Sequence, residues 1–144
     1  MDILGHFDHH EKKQDKEYFK YLIQVALSDG TVDPAELEML HRFGRRKGFT
    51  DPEIDTLIGT IVQTTYTPPY ELSKRFDQVY DLVKIVLADG VVNDNEMLFA
   101  NRFAVKSGFS ETEIPVLLNL LITGIKEGKD EEDLFELYKK GRKR

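Results

Sequence analysis

The amino-acid sequence predicts an all-α fold in which a three-helix unit is duplicated with pseudo-twofold symmetry and followed by a C-terminal helix. Three observations lead to it: apolar residues recur at helical spacing, glycines and N-capping residues separate the helical runs, and one segment repeats another. A length of 144 residues suits one domain. We therefore expect a single domain over residues 1–144.

The internal repeat emerges when residues 22–57 are laid over residues 82–117 without a gap. The offset is 60 residues, as from Asp29 to Asp89. Two copies are too few for a solenoid, which needs about three or more repeats. We expect repeat one over about 15–64, a linker at 64–69 and repeat two over about 70–124. Residues that meet an identical partner include Leu22, Gly30, Glu36, Arg42, Phe43, Gly48, Phe49, Glu53 and Leu57.

The first helix of each repeat is predicted from an apolar face and a terminal glycine. In repeat one, that face carries Phe19, Leu22, Ile23, Ala26 and Leu27. Gly30 and its match Gly90 are expected to end these helices as left-handed C-cap residues. The second helix begins after Asp33, an N-cap candidate followed by Pro34, and runs through roughly Lys47. Gly48 ends it.

Capping boxes open the third helix of each repeat, with Thr50 and Glu53 in one copy and Ser110 and Glu113 in the other. Consecutive prolines then force an extended linker. After a break over residues 124–130, a last helix is predicted at about 130–141. The small residues Gly44 and Ala104 would let helices approach closely, which favours the second helix of each repeat as a central pair.

The only duplicated polar chemistry lies in the acidic turns of Asp29 and Glu36, and of Asp89 and Glu96. They are not EF-hands, because Val25 and its equivalent stand where the loop needs its first oxygen ligand. One hypothesis explains the turns by helix capping, with Asp33 and Asn93 as N-caps and Glu36 and Glu96 as capping-box acids. Asp29 and Asp89 would then accept bonds from the turn amides. The other makes each pair a weak divalent-cation site, since a carboxylate at a helix C-terminus opposes the helix dipole.

The string ALSDGTVDPAELEML at residues 26–40, repeated as VLADGVVNDNEMLFA at residues 86–100, resembles the TerB-like superfamily. That family includes tellurite-resistance TerB proteins and the N-terminal region of DjlA-type membrane co-chaperones. Its pattern is a helix ending in Ala-Asp-Gly, an apolar-centred turn, and Glu early in the next helix. The resemblance covers roughly residues 15–125.

This resemblance implies a compact, duplicated helical fold in bacteria, tied to stress response, tellurite or metal-linked phenotypes and membrane-associated complexes. It implies no catalytic role. The family's acidic residues correspond to Asp29, Glu36, Asp89 and Glu96, which are therefore the candidate metal ligands. We expect neither a transmembrane segment nor a J-domain, so DjlA-like anchoring is not carried over.

Composition argues against several classes of function and location. A net charge of −6 and a pI near 5.2 argue against nucleic-acid binding. The absence of cysteine removes disulfides and thiolate chemistry and fits a reducing compartment, for which we expect the cytoplasm. Residues 1–13 carry three histidines and several charges where a signal peptide needs an apolar core.

Three weaker features have alternative interpretations. The histidines His6, His9 and His10 form either a small metal site or a frayed terminus, and His41 stands alone on its helix. No serine has a histidine and an acid at a catalytic spacing. The basic tail either contacts an anionic membrane or is a solvated end that favours the helix dipole, and it consists of Lys139, Lys140, Arg142, Lys143 and Arg144.

The sequence therefore favours a non-catalytic interaction or scaffold protein in a bacterial stress-response or envelope-linked process, with a protein partner and no cofactor beyond a weakly bound divalent cation. The alternative is a carboxylate metal-binding protein or a weak metal-dependent hydrolase. Converging oxygens at Asp29, Glu36, Asp89 and Glu96 would favour the alternative.

Overall fold

The computed structural model describes the backbone of residues 3–28, 33–60, 66–88, 90 and 92–142, and side chains in those ranges from Asp15 to Gly141. These residues form seven helices and no strand, which confirms the predicted all-α class. The chain divides into two compact units, unit 1 (Met1–Tyr66) and unit 2 (Thr67–Arg144), at a boundary inside the predicted linker. The single-domain organisation stays a prediction.

Unit 1 contains three helices, α1 (Ile3–Leu27), α2 (Pro34–Arg46) and α3 (Asp51–Thr60), and each packs against the other two. The predicted face of α1 is buried apart from Leu27, which is half-buried, and Val25 joins it. The largest fully buried side chains of the unit are Phe19, Leu22, Ile23, Leu40, Phe43 and Ile54. They form one apolar core between the three helices.

Unit 2 contains four helices, α4 (Leu72–Val86), α5 (Asp94–Lys106), α6 (Ile114–Lys126) and α7 (Glu131–Arg142). The break predicted over residues 124–130 is shorter than expected, because Gly124 is helical and lies inside α6. Leu134 of α7 occupies the space that a Cβ at Gly124 would need. The missing side chain therefore lets α7 approach α6, and the break begins only after Lys126.

Side-chain caps start α2 and α5 at the predicted residues. The Glu36 amide donates to Asp33 Oδ1 at 2.8 Å, and the Glu96 amide donates to Asn93 Oδ1 at 3.2 Å. Each bond satisfies one of the backbone donors that a helix N-terminus leaves without an intrahelical partner. These two predicted caps are confirmed.

The two predicted capping boxes differ in detail. In α3 the box is reciprocal: the Thr50 amide donates to Glu53 Oε1 at 2.8 Å and the Glu53 amide donates to Thr50 Oγ1 at 3.3 Å. In unit 2 the Glu113 amide donates to Ser110 Oγ at 3.3 Å, but α6 begins only at Ile114. The Glu113 carboxylate there accepts the hydroxyls of Ser110 and of Tyr138 on α7, at 3.0 and 2.6 Å.

Glycines end α2 and α5 in matching Schellman turns. Gly48 has φ +93° and donates to Arg45 O, while the Phe49 amide donates to Gly44 O at 2.9 Å. Gly108 repeats this geometry with φ +95°. Gly90 also has a positive φ, but its prediction as the C-cap of α4 is wrong, because α4 ends at Val86 with Leu87 as its cap.

Two other predicted details can be checked in unit 1 and the linker. The sequence also predicts that Tyr66 and Tyr70, on either side of the prolines, cover the core. Tyr66 is buried beside Tyr21, with ring centroids 5.5 Å apart, but the prediction is wrong for Tyr70, which is 98% exposed. Gly30 lies outside the described residues. Within the part of the chain that is described, no helix is both long and apolar enough to cross a membrane.

Gly44 and Gly59 provide a matched test of helix packing in unit 1. A Cβ on Gly44 would lie 2.5 Å from Ile54 Cδ1, whereas a Cβ on Gly59 would have nothing within 4 Å. We expect Gly44→Ala to lower the free energy of unfolding by about 1–3 kcal/mol through overpacking. Gly59→Ala should raise it by about 0.5–1 kcal/mol, because alanine loses less backbone entropy. Chemical denaturation measures both, and equal effects would contradict this packing.

Candidate functional site

The structure describes only half of each predicted acidic pair. Glu96 is fully buried at the start of α5 and its match Glu36 is half-buried at the start of α2. Asp29 and Asp89 lie outside the described residues. Convergence of the carboxylates on a cation therefore stays a prediction, while the capping role of the neighbouring Asp33 and Asn93 is observed.

Most of the other predicted candidates are engaged in structural contacts or lie outside the described residues. The Ser28 hydroxyl donates to Val25 O at 2.6 Å, and that of Ser107 donates to Phe103 O at 2.8 Å. Both hydroxyls therefore donate to backbone carbonyl groups three or four residues earlier. The side chains of the N-terminal histidines are outside the described part, namely His6, His9 and His10.

The described part of the basic tail belongs to α7. Lys139 lies 2.8 Å from Glu136 and 4.7 Å from the Phe135 ring centroid, and Lys140 is exposed. Lys139 thus makes contacts within its own helix. The side chain of Arg142 and all of Lys143 and Arg144 lie outside the described residues, so membrane contact stays a prediction.

The most developed polar cluster lies in unit 1, where His41 of α2 bridges two carboxylates of α3. His41 Nδ1 is 2.7 Å from Asp51 Oδ1, and His41 Nε2 is 2.8 Å from Asp55 Oδ1. Arg45 Nη1 donates to the same Asp51 oxygen at 2.9 Å. The His41 side chain is only 15% exposed, so both ring nitrogens face carboxylates at the edge of the core.

Local structure explains this geometry. His41 and Arg45 are four residues apart on α2 and share one face, as do Asp51 and Asp55 on α3. The turn at Gly48 reverses the chain between them. The two faces therefore meet with positive groups on one helix and negative groups on the other.

The cluster shifts the pKa values of its members in opposite directions. The hydrogen bond to Asp51 raises the pKa of His41 above its ordinary 6.5, against a smaller opposing effect of burial, and Asp55 adds to the rise. The hydrogen bond from His41, with further help from Arg45, lowers the pKa of Asp51 below its ordinary 3.8. The imidazolium form is thus the stable form of the bridge.

This arrangement ties α2 to α3 and engages both ring nitrogens of His41. A general base needs a ring nitrogen with a lone pair directed at a substrate, but carboxylates take both nitrogens of His41. The same carboxylates lie on opposite sides of the ring and do not converge. Among the described side chains, no three His, Cys, Asp or Glu residues form a group that could hold a metal ion.

Sequence reasoning missed this cluster, because both carboxylates that contact His41 belong to another helix. Its partners are ten and fourteen residues away, beyond a helix end. One signal was available: Asp51 and Asp55 are four residues apart just after the predicted turn at Gly48. A helical hairpin places that pair against the last turns of α2.

A second charged cluster lies in unit 2, where α4 meets the first turn of α7. Burial raises the pKa of Glu131, and the negative charges of Asp77, Glu132 and Asp130 add to the rise. Asp130 also accepts the Asp133 amide at 2.9 Å. Acidic residues at a helix N-terminus interact favourably with the helix dipole. Asp130 thus caps α7, and Glu131 and Glu132 lie in its first turn.

Calorimetric titration with calcium, magnesium, manganese and zinc tests the predicted acidic turns. We expect at most weak binding, in about the millimolar range, because each pair offers too few oxygens for a divalent ion. The double variant Asp29→Asn, Asp89→Asn should behave like the wild type at micromolar concentrations. Micromolar affinity in the wild type that disappears in the variant would contradict the capping role.

Comparison with known proteins identifies no relative of the chain. No family model, no curated protein and no solved structure matches the chain. The resemblance to the TerB-like superfamily therefore stays a prediction that depends on the two Ala/Ser-Asp-Gly turns.

Proposed function

We propose that the chain is a non-catalytic interaction or scaffold protein of the TerB-like kind, acting in a bacterial stress-response or envelope-linked process. The observation that carries the proposal is a set of exposed apolar side chains on unit 2. Leu98 on α5 is 69% exposed and Val116 on α6 is 70% exposed, and Val105 on α5 is 40% exposed. Side chains of this kind lose unfavourable water contact when another protein covers them.

Two of these side chains share one face of a helix, and the third lies on the neighbouring helix. Leu98 and Val105 are seven residues apart, which places them two turns apart on one face of α5. Val116 lies at the start of α6, which packs against α5. We name Leu98, Val105 and Val116 the apolar face of unit 2.

Unit 1 has charged or polar residues at the matched positions. Glu38, Arg45 and Thr56 stand 60 residues before Leu98, Val105 and Val116. Glu38 pairs with Arg42 at 3.2 Å and Arg45 with Asp51 at 2.9 Å. Ion pairs engage Glu38 and Arg45 in unit 1, so these matched positions are charged or polar in unit 1 and apolar in unit 2.

A duplicated unit with pseudo-twofold symmetry belongs to the same proposal. It is supported by matched N-caps at Asp33 and Asn93 and by matched Schellman turns at Gly48 and Gly108. Duplication followed by divergence would explain how one surface became charged and the other apolar.

The remaining parts of the proposal concern location and ligands. We propose a cytoplasmic protein that binds no nucleic acid, consistent with its charge of −6. Contact of its basic tail with a membrane is a secondary possibility. The metal-binding alternative depends on Asp29 and Asp89, and the calorimetric titration is its test.

Site-specific photo-crosslinking in the native host tests the proposed apolar face. A photoreactive phenylalanine analogue at Leu98 or at Val116 should yield a discrete adduct with another protein. The matched controls are the same analogue at Glu38 and Thr56, which should yield none. These sites are on the outer surface, so incorporation should change the free energy of unfolding by only about 0.5 kcal/mol or less.

A second variant separates binding from folding. Val105→Lys should abolish the adduct formed from Leu98 while the helical circular dichroism remains unchanged. Adducts of equal yield from unit 1 and unit 2, or an adduct that survives Val105→Lys, would contradict the assignment of this face.

A further inference from the structure

We propose that His41, Asp51 and Asp55 form a proton-dependent latch that closes α3 onto α2 in unit 1. The latch is closed while the imidazole carries both protons, and it opens when one proton leaves. This inference does not depend on the proposed partner binding, because it concerns only contacts within unit 1.

The geometry itself requires the doubly protonated ring. Both ring nitrogens lie within 2.8 Å of a carboxylate oxygen. A neutral imidazole has one N–H and one lone pair, so it can donate to only one of these two oxygens. At the other nitrogen, a lone pair would face a carboxylate oxygen at hydrogen-bond distance. One of the two aspartates must then move away, and α3 loses a tie to α2.

The charged groups around His41 support this direction. α3 contributes Asp51 and Asp55, while α2 contributes Arg45, which shares Asp51 with the histidine. α1 places Asp15 against Lys47 at the end of α2, at 3.2 Å. Two carboxylates contact the ring, and Arg45 shares only Asp51 with it. The excess of negative charge around His41 favours the imidazolium.

The pH range of the latch follows from the pKa shifts. Because the contact with Asp51 raises the pKa of His41, the closed state is fully favoured below 6.5 and loses its advantage as pH rises through the higher folded-state value. At the acidic end, the lowered pKa of Asp51 keeps that carboxylate ionised to below 3.8. The latch therefore opens on the alkaline side, above pH 6.5.

Unit 2 is an internal control for this device. The positions matched to His41, Asp51 and Asp55 carry Asn101, Glu111 and Pro115. Neither asparagine nor proline titrates, so α6 has no equivalent proton-dependent tie to α5.

NMR on the full chain tests the latch with two readouts taken between pH 5 and pH 9. The first is the titration of the His41 ring, identified as the resonance lost in His41→Gln and so separated from the other three histidines. The second is the hydrogen-exchange protection of the α3 amides in residues 54–60, corrected for the intrinsic pH dependence. Amides of α6 in residues 116–122 are the control.

We expect the His41 ring to titrate above its ordinary range and the α3 protection to fall through the same midpoint. The fall should be tenfold for each unit by which closure raises the pKa. The α6 amides should show no such step, and His41→Gln should remove it from α3. Asp55→Asn, which keeps the shape but removes one charge, should lower the His41 midpoint and shrink the step, and it provides the test if His41→Gln does not fold.

Three results would overturn the latch. They are α3 protection that stays flat across the His41 titration, a step that persists in His41→Gln, and an equal step in α6. The first would reduce the bridge to a surface ion pair, and the other two would assign the pH dependence to other groups.

Discussion

The Schellman turns at Gly48 and Gly108 are the constraint on which much of the rest depends. A residue with φ near +95° is strained for any side chain with a Cβ, so glycine there fixes where each helix ends. The next helix must then begin within a few residues and return along the previous one. In unit 1 this reversal brings Asp51 and Asp55 against His41. In unit 2 it brings Ser110 and Glu113 to the place where Tyr138 of α7 docks.

The two units share the same helix caps and turns but differ in their surface side chains. Caps and turns are short-range devices, so they constrain which backbone conformations are possible and leave outward-facing side chains free to change. His41 and Arg45 in unit 1 correspond to Asn101 and Val105 in unit 2. Where unit 1 forms ion pairs between its own helices, unit 2 presents apolar side chains to solvent. Covering the exposed part of such side chains favours association with another protein, which is why we propose a partner for them.

Much of the fold could be predicted because its determinants are local. Asp33, Asn93 and Thr50 act within three residues of themselves, and Gly48 acts within one turn. Most of the errors concern contacts between helices: Gly124 was expected to break a helix, but it lies inside α6, where its missing side chain makes room for Leu134 of α7. The His41 cluster was missed for the same reason, since its partners belong to another helix. A pattern along one helix does not show what the next helix brings to it.

The Gly48 turn holds His41 against α3, and a double-mutant cycle between Gly48 and His41 measures whether it does. The free energy of unfolding is measured at pH 6 for the wild type, Gly48→Ala, His41→Gln and the double variant. Alanine finds no clash at this position, so its effect comes from backbone strain in the turn. If the turn positions the bridge, straining it should weaken the bridge, and the two effects should be coupled by at least about 0.5 kcal/mol. Strictly additive effects would contradict the claim.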